Sequence, residues 1–130
     1  MSVGLFIPCY VDQFYPDVGI ATLELLEKYG LEIDFPRVQT CCGQPMANTG
    51  CRQETRPLAK KFLKIFREYE YVVCPSGSCV AMVRHHYKDY LDGEPGFDHL
   101  VDRTFELCEF LVDILQVESI EGQFPYKVGI

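Results

Sequence analysis

No apolar run in this sequence approaches the roughly 18–20 residues that a membrane-crossing helix needs, so no spanning segment is read from it. Basic charge is in deficit. Twelve Lys and Arg stand against 19 Asp and Glu, a net charge of -7, which argues against nucleic acid as a partner. There is no Gly-rich phosphate loop, no Ser–His–Asp pattern and no flavin fingerprint, so hydride chemistry would need a cofactor elsewhere. Tryptophan is missing, and so is any Cys-x-x-Cys pair, the short dithiol redox motif. The start has no basic n-region and passes straight into the apolar residues 3–8, which read as a first strand and not as a leader. The expectation is a cytoplasmic protein.

What the chain does have is cysteine, at positions 9, 41, 42, 51, 74, 79 and 108. Seven is an odd number, and without a leader a disulfide framework is disfavoured relative to metal or redox chemistry. Thirty-one residues separate Cys9 from Cys41-Cys42-Gly43, and thirty-five separate Gly43 from Cys79. Adjacent cysteines rarely bond each other, because the ring they would close is strained. They can offer two thiolates to one metal centre.

The chain is long enough for one domain with one core. Residues 3–8, 31–38 and 71–74 read as strands. Val18, Ala21, Leu25 and Tyr29 follow helical spacing, with Gly30 as a stop. Leu58, Phe62, Ile65, Phe66 and Tyr69 form a second helical stripe, with Thr55 as its cap and Pro57 in its first turn. A third helix opens at Ser76-Gly77-Ser78 and carries Val80, Val83, Tyr87 and Tyr90. A fourth covers residues 98–116, with Phe105, Cys108, Leu111 and Leu115 inward. Residues 126–130 read as the beginning of another strand. Strands alternating with helices imply an α/β fold, an open parallel sheet with helices on both faces. Parallel strands all end on one edge, so Cys9, Cys41, Cys42 and Cys79, each following a strand, gather at the C-terminal edge.

Soft thiolates suit iron–sulfur clusters, zinc and Cu(I). Cys9, Cys41, Cys42 and Cys79 supply the four thiolates of a [4Fe–4S] cluster, or of a closed tetrahedral zinc site. Spacing does not separate the two. Gly43 would let the backbone approach a bulky cluster, and Cys79 falls in a first helical turn, where the dipole favours thiolate. Gln44 and Ser78 could donate hydrogen bonds to sulfur. Cys51 and Cys108 read as packing residues, His85 and His86 as surface residues, and Tyr10 as a shield beside Cys9. Residues 52–67 hold six Lys or Arg against one Glu, and residues 89–130 hold ten acids against two bases. These are solvated faces or docking surfaces for partner subunits.

The segments Phe-Ile-Pro-Cys at 6–9, Cys-Cys-Gly-Gln-Pro at 41–45 and Pro-Ser-Gly-Ser-Cys at 75–79 resemble the cysteine-rich CCG domain family. Within it the chain is most similar to the iron–sulfur subunits of L-lactate utilisation complexes. More distantly it resembles the glycolate oxidase iron–sulfur subunit and the CCG-bearing subunit of heterodisulfide reductase. The resemblance implies an iron–sulfur electron-transfer subunit in oxidation of a 2-hydroxy acid to the 2-oxo acid, partnered by other subunits of a lactate- or glycolate-oxidising complex. Family members carry two such repeats, so residues 1–130 would be the first, with Val128-Gly129-Ile130 echoing Val3-Gly4-Leu5 at the start of the second. A half protein of this kind could form a homodimer. The family's last cysteine would fall at position 82, which is Met82 here. That leaves three readings: a four-ligand cluster, Cys74 as replacement ligand, or zinc.

Overall fold

Four short strands run side by side in one direction: β1 (Ser2–Leu5), β2 (Glu32–Asp34), β3 (Tyr71–Cys74) and β4 (Thr104–Glu106), in the spatial order β2-β1-β3-β4. The computed structural model describes residues 1–129. Ser2 faces Glu32 across β1–β2, Val3 faces Tyr71 across β1–β3, and Val72 faces Thr104 across β3–β4. Parallel neighbours cannot be joined by hairpins, so each connection crosses a sheet face, and helices make the crossings. From β1 to β2 run α1 (Cys9–Phe14) and α2 (Pro16–Lys28), and from β2 to β3 run α3 (Gln44–Asn48) and α4 (Arg52–Phe66). From β3 to β4 run α5 (Gly77–Ala81), a π-helical turn (Met82–His86), α6 (Lys88–Leu91) and α7 (Phe97–Asp102). After β4 come α8 (Leu107–Glu109) and a second π-helical turn (Phe110–Ile114).

Strand side chains alternate between faces, and the two faces carry two cores. Val72 and Cys74 of β3 join Phe6, Phe62 and Phe66, with Val80, Val83 and Tyr87, on one side. Val73 joins Val3, Leu5, Leu26, Phe110 and Leu111 on the other. Edge-on aromatic contacts lock the first core, with Phe6 and Phe62 centroids 4.8 Å apart and Phe62 and Tyr87 centroids 5.6 Å apart. The fold class read from the alternation of elements is the one observed, with helices covering both faces. No helix among the described residues is long and apolar enough to cross a membrane.

Several local expectations are corrected. In α2 the buried residues are Thr22 and Leu26, while Val18 and Tyr29 are exposed. The two candidate faces lie one residue apart around the helix, and Thr22 is tolerated inside because its hydroxyl donates to the Val18 carbonyl at 2.7 Å. Helix α4 begins at Arg52, three residues before Thr55. Thr55 is no cap: it is buried within the helix, and its hydroxyl donates to the Cys51 carbonyl at 2.7 Å. Pro57 accordingly lies inside the helix.

The single helix expected over residues 98–116 is two helical segments with a strand between them. Phe105 sits in β4, not on a helix stripe. A new helix then starts from Glu106, whose side chain accepts from the Cys108 N–H while Glu109 reaches back to the Glu106 N–H. That capping box turns Cys108 outward, so Cys108 is exposed and not a core residue. Residues 126–129 carry no strand, and Ile130 lies outside the described residues.

Candidate metal centre

The strand order places the site. The chain runs from β1 to β2 on one side, then returns to β3 and β4 on the other, so connections diverge between the C-terminal ends of β1 and β3. Open α/β sheets bind ligands in the crevice formed there. Cys9 opens α1 just after β1, Cys74 ends β3, and Cys79 lies in the first turn of α5. Cys41 and Cys42 arrive on the loop after β2 and just before α3.

Two sulfur groupings result. Cys9 and Cys41 stand with sulfurs 3.6 Å apart, both half-buried. Cys42, Cys74 and Cys79 are buried in one cluster, with the Cys74 thiol directed at the Ser76 carbonyl at 3.8 Å. The groupings feel each other's charge, Cys9 through Cys79 and Cys42 through Cys41. Among the described residues, no group of three or more His, Cys, Asp or Glu side chains is arranged to hold a single metal ion.

The electrostatics are those of crowded sulfur. The Cys79 pKa is drawn down to about 3, by the Cys42 thiol first and the Cys74 thiol next, with Ser76 and Ser78 adding to this against the opposing effect of burial. Cys42 is pushed far up, chiefly because the neighbouring Cys79 sulfur favours its protonated form, then by burial. Burial is the first cause for the raised Cys74 and Cys9, followed by bonds to Cys79 and Cys41 respectively. Buried Tyr87 is likewise raised, by burial first and then by the Cys42 charge. The rim thus disfavours further anions when only protons are on hand. A cationic centre reverses that logic, since a coordinating thiol is deprotonated outright. Soft sulfur donors from three loops, largely shielded from water, fit an iron–sulfur cluster or zinc.

Gly43 has φ +90°, a conformation that favours glycine, and its N–H donates to the Cys41 sulfur at 3.3 Å. A Cβ on Gly43 would make only ordinary contacts with Thr55 and Leu58 of α4, so it is the turn's backbone conformation that calls for glycine. The Gln44 backbone acts on the Cys42 pKa in the lowering direction. Ser78 helps to hold the Cys79 pKa down. Tyr10 is tied down, its hydroxyl donating to the Ser76 Oγ at 3.1 Å, and Ser76 and Ser78 hydroxyls lie 3.3 Å apart. Met82, at the place of the family's last cysteine, belongs to the same buried cluster as Cys42, Cys74 and Cys79. Cys51 is exposed just ahead of α4 and is not a packing residue; His85 and His86 are exposed.

Three contributors were not evident from sequence. Tyr87 is fully buried and donates to the Cys42 carbonyl at 2.7 Å, fixing the Cys-Cys loop to the helical segment that follows Cys79. Ser76 supports Cys79, and Gln39 bonds the backbone at the end of β1. A lone tyrosine, serine or glutamine carries no periodic or spacing signal.

The family described as CCG, cysteine-rich domain, matches residues 3–84. Lactate utilization protein A of Halalkalibacterium halodurans is 49% identical over 131 residues, covering 98% of this chain and 53% of that protein. Lactate utilization protein A 2 of Bacillus cereus strain Q1 is 46% identical over 131 residues, covering 98% of this chain and 54% of its own length. The chain therefore spans about half the length of these curated relatives. No solved structure matches it. With the family pattern matched over residues 3–84 and Cys9, Cys41, Cys42 and Cys79 delivered to one sheet edge, the chain belongs to the cysteine-rich CCG domain family.

Proposed function

We propose that the chain is an iron–sulfur redox module that takes part in oxidising a 2-hydroxy acid such as L-lactate to the 2-oxo acid. It would work in the cytoplasm as one component of a multi-subunit complex. The observation that carries this reading is the convergence of thiols from three separate loops on the crevice between β1 and β3. The names of the lactate utilization relatives give the substrate class. Cys9, Cys41, Cys42 and Cys79 are the ligands of a [4Fe–4S] cluster, and Cys74, buried in the same cluster as Cys79, is the candidate fifth. Such a cluster supplies one-electron transfer when bound. The chain's own residues hold and orient the sulfurs. The Gly43 N–H, the Gln44 backbone and the Ser76 and Ser78 hydroxyls direct donors at them, which tunes a potential. The chain is read as the first of two CCG repeats, in keeping with relatives about twice its length.

Zinc is the second reading, and one distance favours it. Zn–S bonds of ~2.3 Å in a tetrahedron put ligand sulfurs about 3.8 Å apart, close to the 3.6 Å between Cys9 and Cys41. The module would then be a structural or interaction unit of the same kind of complex. Iron, acid-labile sulfide and zinc per chain after anaerobic purification, with EPR of both redox states, separate the two. The redox reading expects about four irons and four sulfides. About one zinc with no iron establishes the structural reading instead.

A further inference from the structure

The chain leaves β2 at Asp34 and reaches Pro36, which has no N–H to give to a ladder. Beyond Gly4, the last residue of β1 paired with β2, that edge of β1 has no strand beside it. Its backbone still alternates. Phe6 N–H turns toward β3 and donates to the Val73 carbonyl at 2.9 Å, while the Leu5 carbonyl and Ile7 N–H turn the other way. One side chain meets both. The Gln39 Oε1 accepts from Ile7 N–H at 2.8 Å, and its Nε2 donates to the Leu5 carbonyl at 3.0 Å. Nε2 also donates to the Pro36 carbonyl at 3.0 Å, tying the side chain to its own loop. A parallel neighbour treats a strand in just this way, with one carbonyl accepting and one N–H donating. The Gln39 amide continues the β2 ladder without a strand.

The sulfur pair lies just beyond this clamp. Cys9 is two residues past Ile7, and Cys41 is two residues past Gln39. Two residues reach at most about 7 Å when extended, so little slack separates the clamp from either sulfur.

We propose that Gln39 is the positioning residue of the cysteine rim: its amide locks the Cys-Cys loop onto the end of β1 and so sets Cys41 against Cys9. The consequence for metal rests on the redox-module reading; the setting of the two thiols does not.

The test uses the reduced, metal-free full chain treated with oxidised glutathione. Two protein thiols and one glutathione disulfide give the Cys9–Cys41 disulfide and two reduced glutathiones, with electrons passing from protein to glutathione. Formation of that disulfide is followed by peptide mass spectrometry. Gln39→Leu, which loses both faces of the clamp, is expected to slow it by about tenfold, the scale of one or two lost hydrogen bonds. Gln39→Glu keeps the acceptor, loses the donor and falls between. Thr104→Val removes the buried hydrogen bond from Thr104 to the Leu100 carbonyl at the far edge of the sheet; it should lower the melting temperature and leave the rate native. A folded Gln39→Leu or Gln39→Glu protein that forms the pair at the native rate overturns the proposal, as does equal slowing by Thr104→Val. If Gln39→Leu does not fold, Gln39→Glu decides. Metal content and the visible spectrum are read in parallel. Native protein that takes up no metal would end the redox-module reading, while the thiol result still decides the role of Gln39.

Discussion

The lowered pKa of Cys79 gives the metal-free protein a distinctive acid limb. In an unfolded chain a cysteine titrates near about 8.5, whereas the folded Cys79 is drawn down to about 3, chiefly by the Cys42 and then the Cys74 thiol. Between those values the unfolded chain binds one proton more than the folded one. The contribution to stability is therefore complete above the unfolded value and drains away as pH falls toward the folded one. Melting temperatures of metal-free wild type and Cys79→Ser should converge as the pH is lowered from about 8 to about 5. A constant gap across that window would mean Cys79 is a thiol in the fold. Metal binding divides the cysteines differently. Cys42→Ser should abolish metal uptake while far-UV circular dichroism keeps the sheet, and unchanged metal content would remove Cys42 from the site. Cys108 is exposed on α8, beyond the edge strand β4. Cys108→Ala should therefore leave metal content unchanged and shift stability by less than about 0.5 kcal/mol.

At the scale of elements, β1 tolerates no side chain at Gly4. A Cβ there would lie 2.8 Å from Cδ2 and 2.9 Å from Cγ of the Tyr69 ring, and Tyr69 is held by a hydrogen bond to Asp34 at the end of β2. Gly4→Ala is expected to cost about 1–3 kcal/mol, as overpacking does, measured by urea denaturation. Adding Tyr69→Ser should recover most of it, and failure to recover would place the strain in the backbone. The same region shows what sequence patterns can and cannot carry. β1 and β3 were legible because 3–5 and 71–74 are compact apolar runs bounded by helical spacing. β4 was not. Thr104-Phe105-Glu106 is three residues long, and Phe105, Cys108, Leu111 and Leu115 happen to keep a helical period through it. The break is made by the capping box at Glu106 and by pairing with β3, and the pairing is invisible locally. The start of α4 was missed for a related reason. Thr55 resembles a cap by residue type, yet its hydroxyl bonds the preceding turn and leaves the helix free to begin at Arg52.

For the whole molecule, the gathering of Cys9, Cys41, Cys42 and Cys79 at one edge followed from topology and was legible. Their sorting into a pair and a trio depended on Gln39, Tyr87 and the packing of Cys74, which only three-dimensional contacts reveal. One further property emerges only at this scale. An apolar groove of about 270 Å³ lies between α2 and the end of β2, lined by Ile7, Pro16, Ile20, Leu23 and Phe35, with Ile20 and Phe35 exposed. It adjoins a second cavity of about 510 Å³ that reaches Cys9 and Cys41, the two sharing Ile7, Asp12 and Phe35. An exposed apolar groove beside the cysteine rim favours a cover. The relatives are about twice this length; on the proposed two-repeat reading the cover is the second repeat, and for this chain by itself the expected cover is a second copy. Sedimentation should then show a concentration-dependent dimer that Ile20→Asp or Phe35→Asp converts to monomer without changing the circular dichroism. The same substitutions should speed alkylation of Cys9 and Cys41, because uncovering the groove opens the adjoining cavity to reagent. A wild-type chain that stays monomeric at high concentration, with alkylation unmoved by either substitution, would mean that the groove is solvent-facing in the working protein.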